Sequence, residues 1–422
     1  MNQIQSAVIA AFRQDRSEPT QVVARPTIET TIRAVPGVQI SVSENLDAVE
    51  AAWRRFEPDA VSTVFQNFDY LALWQRHIGA PQSVTPAIAI VRYGGGILMI
   101  LPLAISGRGL LRRLTWLGQE HCDYLAPLFE KDFSKIVSGE KFATLWHEII
   151  QLLQTDARFR HDLVELRKMP ETLSGHSNPF MMLGVTANPS SAHLTTLTGD
   201  WASFYDQKRS SATRRRDRTK RKRLGESGEV RMVTPRDEAE VRQSIETLIR
   251  QKSAALKRMG VGDMFTEPGV RDFYLDLATN PRTQGLVHVS RLDVGTVAAS
   301  VNLGLRFRDR YHYIFASYDD GDLSRFGPGA AHLRDIMARA IAEGCHEFDF
   351  TIGDERYKLE WSDTETRLFD YCSATTVRGL PEAQLLRWLT AAKRTIKQTP
   401  ALWSAFQKVR TAAGSLRRFP KS

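Results

Sequence analysis

The sequence predicts an α+β protein built of two mixed, mostly antiparallel sheets, each flanked by helices. Three observations carry this. Strand-like alternation comes in two separate blocks, Ala87–Leu103 and Leu286–Ser317, and each block has segments of helical apolar spacing on both sides. A turn-rich junction at Gly184–Ser191, containing Asn188-Pro189, divides the chain between them. A length of 422 residues also suits two domains at roughly 150 residues each.

The elements follow in order. Residues 1–37 carry Pro19, Pro26 and Pro36 among polar residues and read as a disordered leader. The first domain, 38–190, opens with helices around Leu46–Phe56 and Asp69–His77. A hairpin follows, Ala87–Arg92 and Ile97–Leu103, turned at Gly94-Gly95-Gly96. A helix over Glu140–Gln154 and a strand near Leu163–Leu166 complete it. The second domain, 191–380, starts with one basic helix, capped by Thr198 or Asp200, anchored by Trp201, Phe204 and Tyr205, and ended by Gly225. Thr234-Pro235-Arg236-Asp237 starts the next helix with proline in its first turn, and a further helix covers Val270–Ala278. Strands Leu286–Leu292, Val297–Leu305 and Tyr311–Ser317, a helix Ala330–Glu343 stopped by Gly344, and a strand Glu347–Phe350 follow. Two copies of one fold fit this order. A basic amphipathic tail, 381–422, ends the chain, with Leu385, Leu389, Ala392 and Ile396 before Pro400 and Leu402, Trp403, Phe406 and Val409 after it.

At 42% hydrophobic and 25% charged the chain has an ordinary globular composition. Its longest apolar run, Ile97–Ile105, has nine residues and includes Pro102, against ~20 for a membrane span. No signal-peptide pattern opens the sequence. The expected location is therefore the cytoplasm, with peripheral contact at the inner membrane as the alternative. Cys122, Cys345 and Cys372 are odd in number and far apart, and no histidine spacing matches a zinc site, so no metal is expected.

The net charge of +9 is uneven. Lys208–Arg223 holds ten basic residues and one acid; Leu385–Ser422 holds nine basic residues and no acid. The remaining chain is acidic, with 38 basic and 47 acidic side chains. The first patch, including Arg214 and Arg215, reads as a solvated helix, a dock for phosphate-bearing ligands or an RNA contact, although no nucleic-acid module accompanies it. The tail reads either as a helix pair packed on the neighbouring domain or as one lying on an anionic membrane.

Chemistry concentrates between Tyr318 and Trp361. Gly327-Pro328-Gly329 precedes a strong amphipathic helix, whose first turn from Ala330 onward offers unpaired N–H groups to a pyrophosphate, and Arg325 stands beside it. Next comes Phe348-Asp349-Phe350-Thr351-Ile352-Gly353-Asp354-Glu355-Arg356-Tyr357-Lys358, a strand running into an acid-rich glycine loop. Asp349, Asp354 or Glu355 is the candidate base, Tyr357 the candidate acid, and Lys358 a candidate for holding an oxyanion or phosphate. A solvated charged loop is the alternative.

These segments resemble the GNAT-superfamily acetyltransferase domain of CelD/BcsL-type cellulose-biosynthesis acetyltransferases, distantly related to Fem-type aminoacyl transferases. The resemblance rests on Arg214–Leu224, Val294–Ala299, Ser324–Gly329 and Gly344–Trp361, with Gly94–Pro102 and Asp123-Tyr124-Leu125-Ala126-Pro127-Leu128 in the first half. It implies tandem GNAT-like domains and an acyl-CoA-dependent transfer, from acetyl-CoA or another acyl-CoA, to a sugar or nucleotide-sugar acceptor. Asp123, Tyr124, Arg214, Arg215, Tyr318 and Trp361 would line the substrate site; Arg325, Gly327, Gly329 and Ala330 would hold the donor. The turn departs from the usual pattern in having Ser324 three places before Gly327, the arginine one place later, and Pro328 inside it. A longer acyl group or an aminoacyl donor stays open, with tRNA the lesser expectation. So does a catalytically idle accessory role in a polysaccharide-synthase complex.

Overall fold

Among the described residues, nine strands form the first sheet and seven the second. The computed structural model describes residues 27–31, 35–107, 111–353 and 355–399. The first sheet contains β1 (Ile28–Thr31), β2 (Val38–Ser43), β3 (Thr85–Tyr93), β4 (Gly96–Ser106), β5 (Arg113–Trp116), β6 (Leu128–Phe129), β7 (Leu163–Pro170) and β8 (Thr186–Ala187). The second holds β9 (Ala192–Thr196), β10 (Val230–Val233), β11 (Val287–Val294), β12 (Val297–Phe307), β13 (Arg310–Tyr318), β14 (Glu347–Ile352) and β15 (Thr364–Thr366). The chain then returns to the first sheet as β16 (Leu368–Ala374), between β7 and β8.

Each sheet is antiparallel but for one pair. β5 and β7 run parallel at Arg113–Leu163 and Leu114–Val164; β13 and β14 run parallel from Arg310–Glu347 to His312–Asp349. This shared plan is the pair of similar α+β units expected from the sequence.

The principal helices are α1 (Leu46–Phe56), α2 (Phe68–Trp74), α3 (Gly139–Thr155), α4 (Trp201–Lys208), α5 (Ser211–Gly225), α6 (Glu238–Arg258), α7 (Val270–Thr279), α8 (Pro328–Ala342), α9 (Arg356–Trp361) and α10 (Leu380–Gln398). In α1, Asn45 caps the start by accepting from the Asp47 amide, and Val49, Trp53 and Phe56 bury one stripe. The β3–β4 hairpin turns at Gly94 and Gly95, both with positive φ, a conformation that favours glycine. Its strands are buried nearly throughout, which explains their almost unbroken apolar runs. One apolar core spans both halves: Trp53, Phe65 and Trp74 belong to the same cluster as Val301, Leu303 and Leu305 of β12.

Several local expectations are corrected. Ile28–Thr31 pairs with β2, inside the stretch read as a disordered leader; residues 1–26 of that stretch lie outside the described ones. The basic helix is two helices, because the Ser210 hydroxyl accepts from the Thr213 amide and starts a new one. The α5 half is also not solvated on all sides: Leu224 is buried, and so is Asp217, which takes the Tyr205 hydroxyl at 2.7 Å and Arg334 at 3.3 Å. The helix expected from Thr234 starts after Asp237, whose carboxylate accepts from the Glu240 amide at 2.8 Å. In the tail, α10 packs through Ala383, whereas Leu385, Trp388 and Leu389 face solvent; the apolar stripe does not pack on the neighbouring domain. Leu402, Trp403, Phe406 and Val409 lie outside the described residues.

Candidate active site

Two segments singled out in the sequence, 225 residues apart, meet between the sheets. The Tyr124 hydroxyl donates to Asp349 Oδ1 at 2.7 Å, which also accepts the Thr351 amide at 2.8 Å. Arg310 lies 3.6 Å from the other carboxylate oxygen. Burial pushes the Asp349 carboxyl up, while Arg310, the Tyr124 hydroxyl and the Thr351 amide pull it down. Asp349 has no exposed surface, so it braces the junction and does not face an acceptor. Alternation along β14 explains the placement: Asp349 and Thr351 point toward the first domain, whereas Phe348 and Phe350 enter a separate apolar cluster with Tyr313 and Trp361.

Asp123, one residue before Tyr124, is half-buried. Crowding raises its pKa; Lys168, the Thr351 hydroxyl and Lys358 act against that rise. Lys168 holds the loop in shape. Its ammonium lies 3.2 Å from the Cys122 carbonyl and 3.0 Å from the Glu120 carboxylate, and its own carbonyl accepts the Leu125 amide at 3.2 Å. Its φ of +56° is a left-handed conformation that costs a lysine about 1 kcal/mol or more. Thr351 is held similarly, at φ +60°.

Lys358 is buried and donates to the Ile352 carbonyl at 2.6 Å, with Glu355 at 3.1 Å. It therefore closes the loop between β14 and α9, where Gly353 takes a φ of +135°, a conformation that favours glycine. Glu355 is exposed; Asp354 lies outside the described residues. The Tyr357 ring packs edge-on against Tyr313 of β13 and Phe350 of β14, with 37% of the residue still exposed; partial burial pushes its hydroxyl pKa up. Trp361 is a core residue rather than a substrate contact, stacked with Trp201, Phe204 and Tyr205 under the Arg209 guanidinium.

Beyond His312 and Asp349 the parallel strands separate. β13 continues to Tyr318 paired only with β12, and β14 continues to Ile352 paired with β9. Their facing edges beyond the last shared pair thus diverge into a wedge. Lys252 of α6 reaches into this region, 3.4 Å from the Ala316 carbonyl and over the Phe315 ring; burial pushes its pKa down. Glycines build the outer end. Gly327, at φ +65°, caps α8, and Pro328 occupies its first position, where a missing N–H costs nothing. The Lys220 ammonium of α5 lies 3.7 Å from where a Cβ on Gly327 would stand, and the Tyr318 ring 3.5 Å from one on Gly329. Arg325, expected beside a phosphate, stacks on the neighbouring Phe326 ring. Ala330 is exposed in the first turn of α8. Arg214 pairs with Asp206 and Arg215 is exposed.

The structure thus brings Asp123, Tyr124, Asp349 and Lys358 together, and places Gly327, Gly329, Ala330 and Tyr318 together at the start of α8. Lys168, Thr351 and Lys252 were not found by sequence reasoning; a lysine within a strand and another within a helix carry no local signal of such roles. Among the described residues, no group of three or more His, Cys, Asp or Glu is placed to hold a metal ion, and no helix is long and apolar enough to cross a membrane.

Comparison with known proteins agrees with this geometry. Residues 211–359 match the acetyltransferase (GNAT) domain model. The chain is similar in structure to FemX, with 10% identity, a TM-score of 0.55, and coverage of 85% of this chain and 99% of that one. It is likewise similar to a conserved protein of unknown function from Bacteroides thetaiotaomicron VPI-5482, with 10% identity, a TM-score of 0.50, and coverage of 78% and 98%. No curated protein matches the sequence. At such identities these likenesses concern the fold alone. With β10–β14, the wedge and the glycine turn all inside the matched segment, the chain carries a GNAT-superfamily acetyltransferase domain, the domain of an acyl-CoA-dependent transferase, within a fold shared with FemX.

Proposed function

We propose that the protein transfers an acyl group from acyl-CoA to an amine or hydroxyl of a sugar-containing envelope or exopolysaccharide precursor, as CelD/BcsL-type acetyltransferases do. The observation that carries the reading is the wedge between β13 and β14, with Asp123 from the other domain at its edge. A bound acyl-CoA supplies a thioester carbonyl already activated for attack. The chain's own groups do the rest. Diverging strand edges offer N–H and C=O groups to an extended chain of amides, as a sheet edge does to an added strand. The first turn of α8 and the Lys220 ammonium suit a pyrophosphate.

Asp123 is the base in this reading. Its raised pKa makes it a stronger proton acceptor than an ordinary carboxylate. Tyr357, lying across both diverging strands, is the donor for the leaving thiolate. Asp349 and Tyr124 hold the Asp123 loop against β14. Transfer of label from acetyl-CoA and longer acyl-CoAs to a panel of nucleotide sugars and oligosaccharide precursors tests the reading, with Asp123→Asn as control. Transfer that Asp123→Asn abolishes supports it. Transfer only from aminoacyl-tRNA, or from no donor, overturns it.

A further inference from the structure

We propose that α10 docks the protein on an anionic phospholipid surface, its outward apolar stripe entering the interface. This rests on the helix alone and does not depend on the acyltransferase reading.

The stripe follows from helical spacing. Leu385, Trp388, Leu389 and Ala392 fall at i, i+3, i+4 and i+7, one face of a helix. That face is turned away from the fold: Trp388 is 66% exposed, Leu385 52% and Leu389 36%, whereas Ala383 on the opposite side is buried. Val377, 81% exposed, adds apolar surface just before the helix start. The inner side is anchored independently, by Arg113 on Glu382 and by the Arg387 guanidinium donating to the Cys372 carbonyl at 2.7 Å. The exposed side is therefore not a packing surface that slipped; the helix is already fixed without it.

Charge decides the occupant. From Leu385 to the last residue the sequence has nine Lys/Arg and no Asp or Glu, six of the nine beyond Thr395. Within α10, Lys393 is exposed at the edge of the stripe, whereas Arg394, also exposed, lies on the opposite face. A second copy of this chain would bring the same basic segment against itself, which like-charge repulsion opposes. An anionic lipid surface answers both halves of the pattern, taking the indole and leucines at the acyl boundary and the cations at the headgroups. A tryptophan at the centre of the stripe suits that boundary, because its ring is apolar with one polar edge.

Flotation of the full chain with phosphatidylcholine vesicles, with and without phosphatidylglycerol, tests this. The expected result is binding to the anionic vesicles only, released by high salt. Leu385→Ser/Trp388→Ser/Leu389→Ser should weaken it about tenfold or more, and Lys393→Glu should weaken it without altering the thermal unfolding midpoint. Brominated lipid should quench wild-type fluorescence and quench Trp388→Phe less. Absence of wild-type binding overturns the proposal, as does binding unchanged in the triple serine variant. Concentration-dependent dimers that the triple variant dissolves, without vesicle binding, would assign the face to a second copy and equally overturn it.

Discussion

His332 makes the fold sensitive to mild acid, and the size of the effect follows from its surroundings. It projects from α8 into the second sheet with no exposed surface, between Ser290 Oγ at 3.0 Å and Ser300 Oγ at 3.1 Å. Ser300 donates its own hydrogen to the Ser317 carbonyl at 2.7 Å, so its oxygen accepts from the imidazole Nδ1–H, and Nε2 accepts from Ser290. That network suits the neutral ring, and burial, aided by His288, pushes the pKa down to about 3. In the unfolded chain the value returns to ~6.5. Below that pH only the unfolded state takes up the proton, so stability present above pH 6.5 is lost as pH falls toward 3. At ~1.4 kcal/mol per pH unit, lowering the pH from 6.5 to 5 removes about 2 kcal/mol through this residue alone. His332→Gln keeps polar contact with both serines and removes the titration. Urea unfolding of both proteins at pH 7 and pH 5 should therefore show wild type losing about 2 kcal/mol more than the variant. Parallel losses would refute the reasoning.

Three further outcomes concern the candidate site. Asp123→Asn should lower kcat by about 10²–10⁴ while leaving acyl-CoA affinity unchanged, read by transfer kinetics and calorimetry. The acidic limb of kcat/KM should lie above the ordinary carboxylate range, and Lys168→Met, which removes a cation that lowers the Asp123 pKa, should move that limb to higher pH; a fixed limb would remove Asp123 from the role of base. Tyr124→Phe takes a hydrogen-bond donor from the buried Asp349 and should cost about 1–3 kcal/mol of stability, measured by denaturant unfolding, with Tyr124→Leu costing more through lost packing on Phe65.

The hairpins and most helices were legible because they are local. Alternation at Leu286–Ser317 and the Gly94-Gly95 turn each report on neighbours in sequence. Pairing between distant strands is not local, so nothing in Leu368–Ala374 shows that it returns to the first sheet, and nothing in Tyr311–Ser317 shows that it parts from β14. Capping competition misplaced two helix ends: Asp237 outcompetes Thr234, and Ser210 breaks a helix that composition alone reads as continuous. Asp123 and Tyr124 came into view only through family resemblance, since a single acid beside a tyrosine has no periodicity to mark it. The sequence marks Asp349 as a candidate base but does not show its burial, which depends on which face of β14 the first domain covers. Lys168 was missed since its left-handed backbone is imposed by the loop it supports.

The acyl-CoA site is tested most directly by calorimetric titration of the protein with acetyl-CoA and with longer acyl-CoAs, comparing wild type with Gly329→Trp. The Tyr318 ring stands 3.5 Å from where a Cβ on Gly329 would lie, so an indole there fills the mouth of the wedge without entering the core. Saturable binding by wild type, lost in the variant, is the predicted result. Equal binding by both proteins would contradict the placement of the donor between β13 and α8, and absence of binding to any acyl-CoA would contradict the acyltransferase account itself.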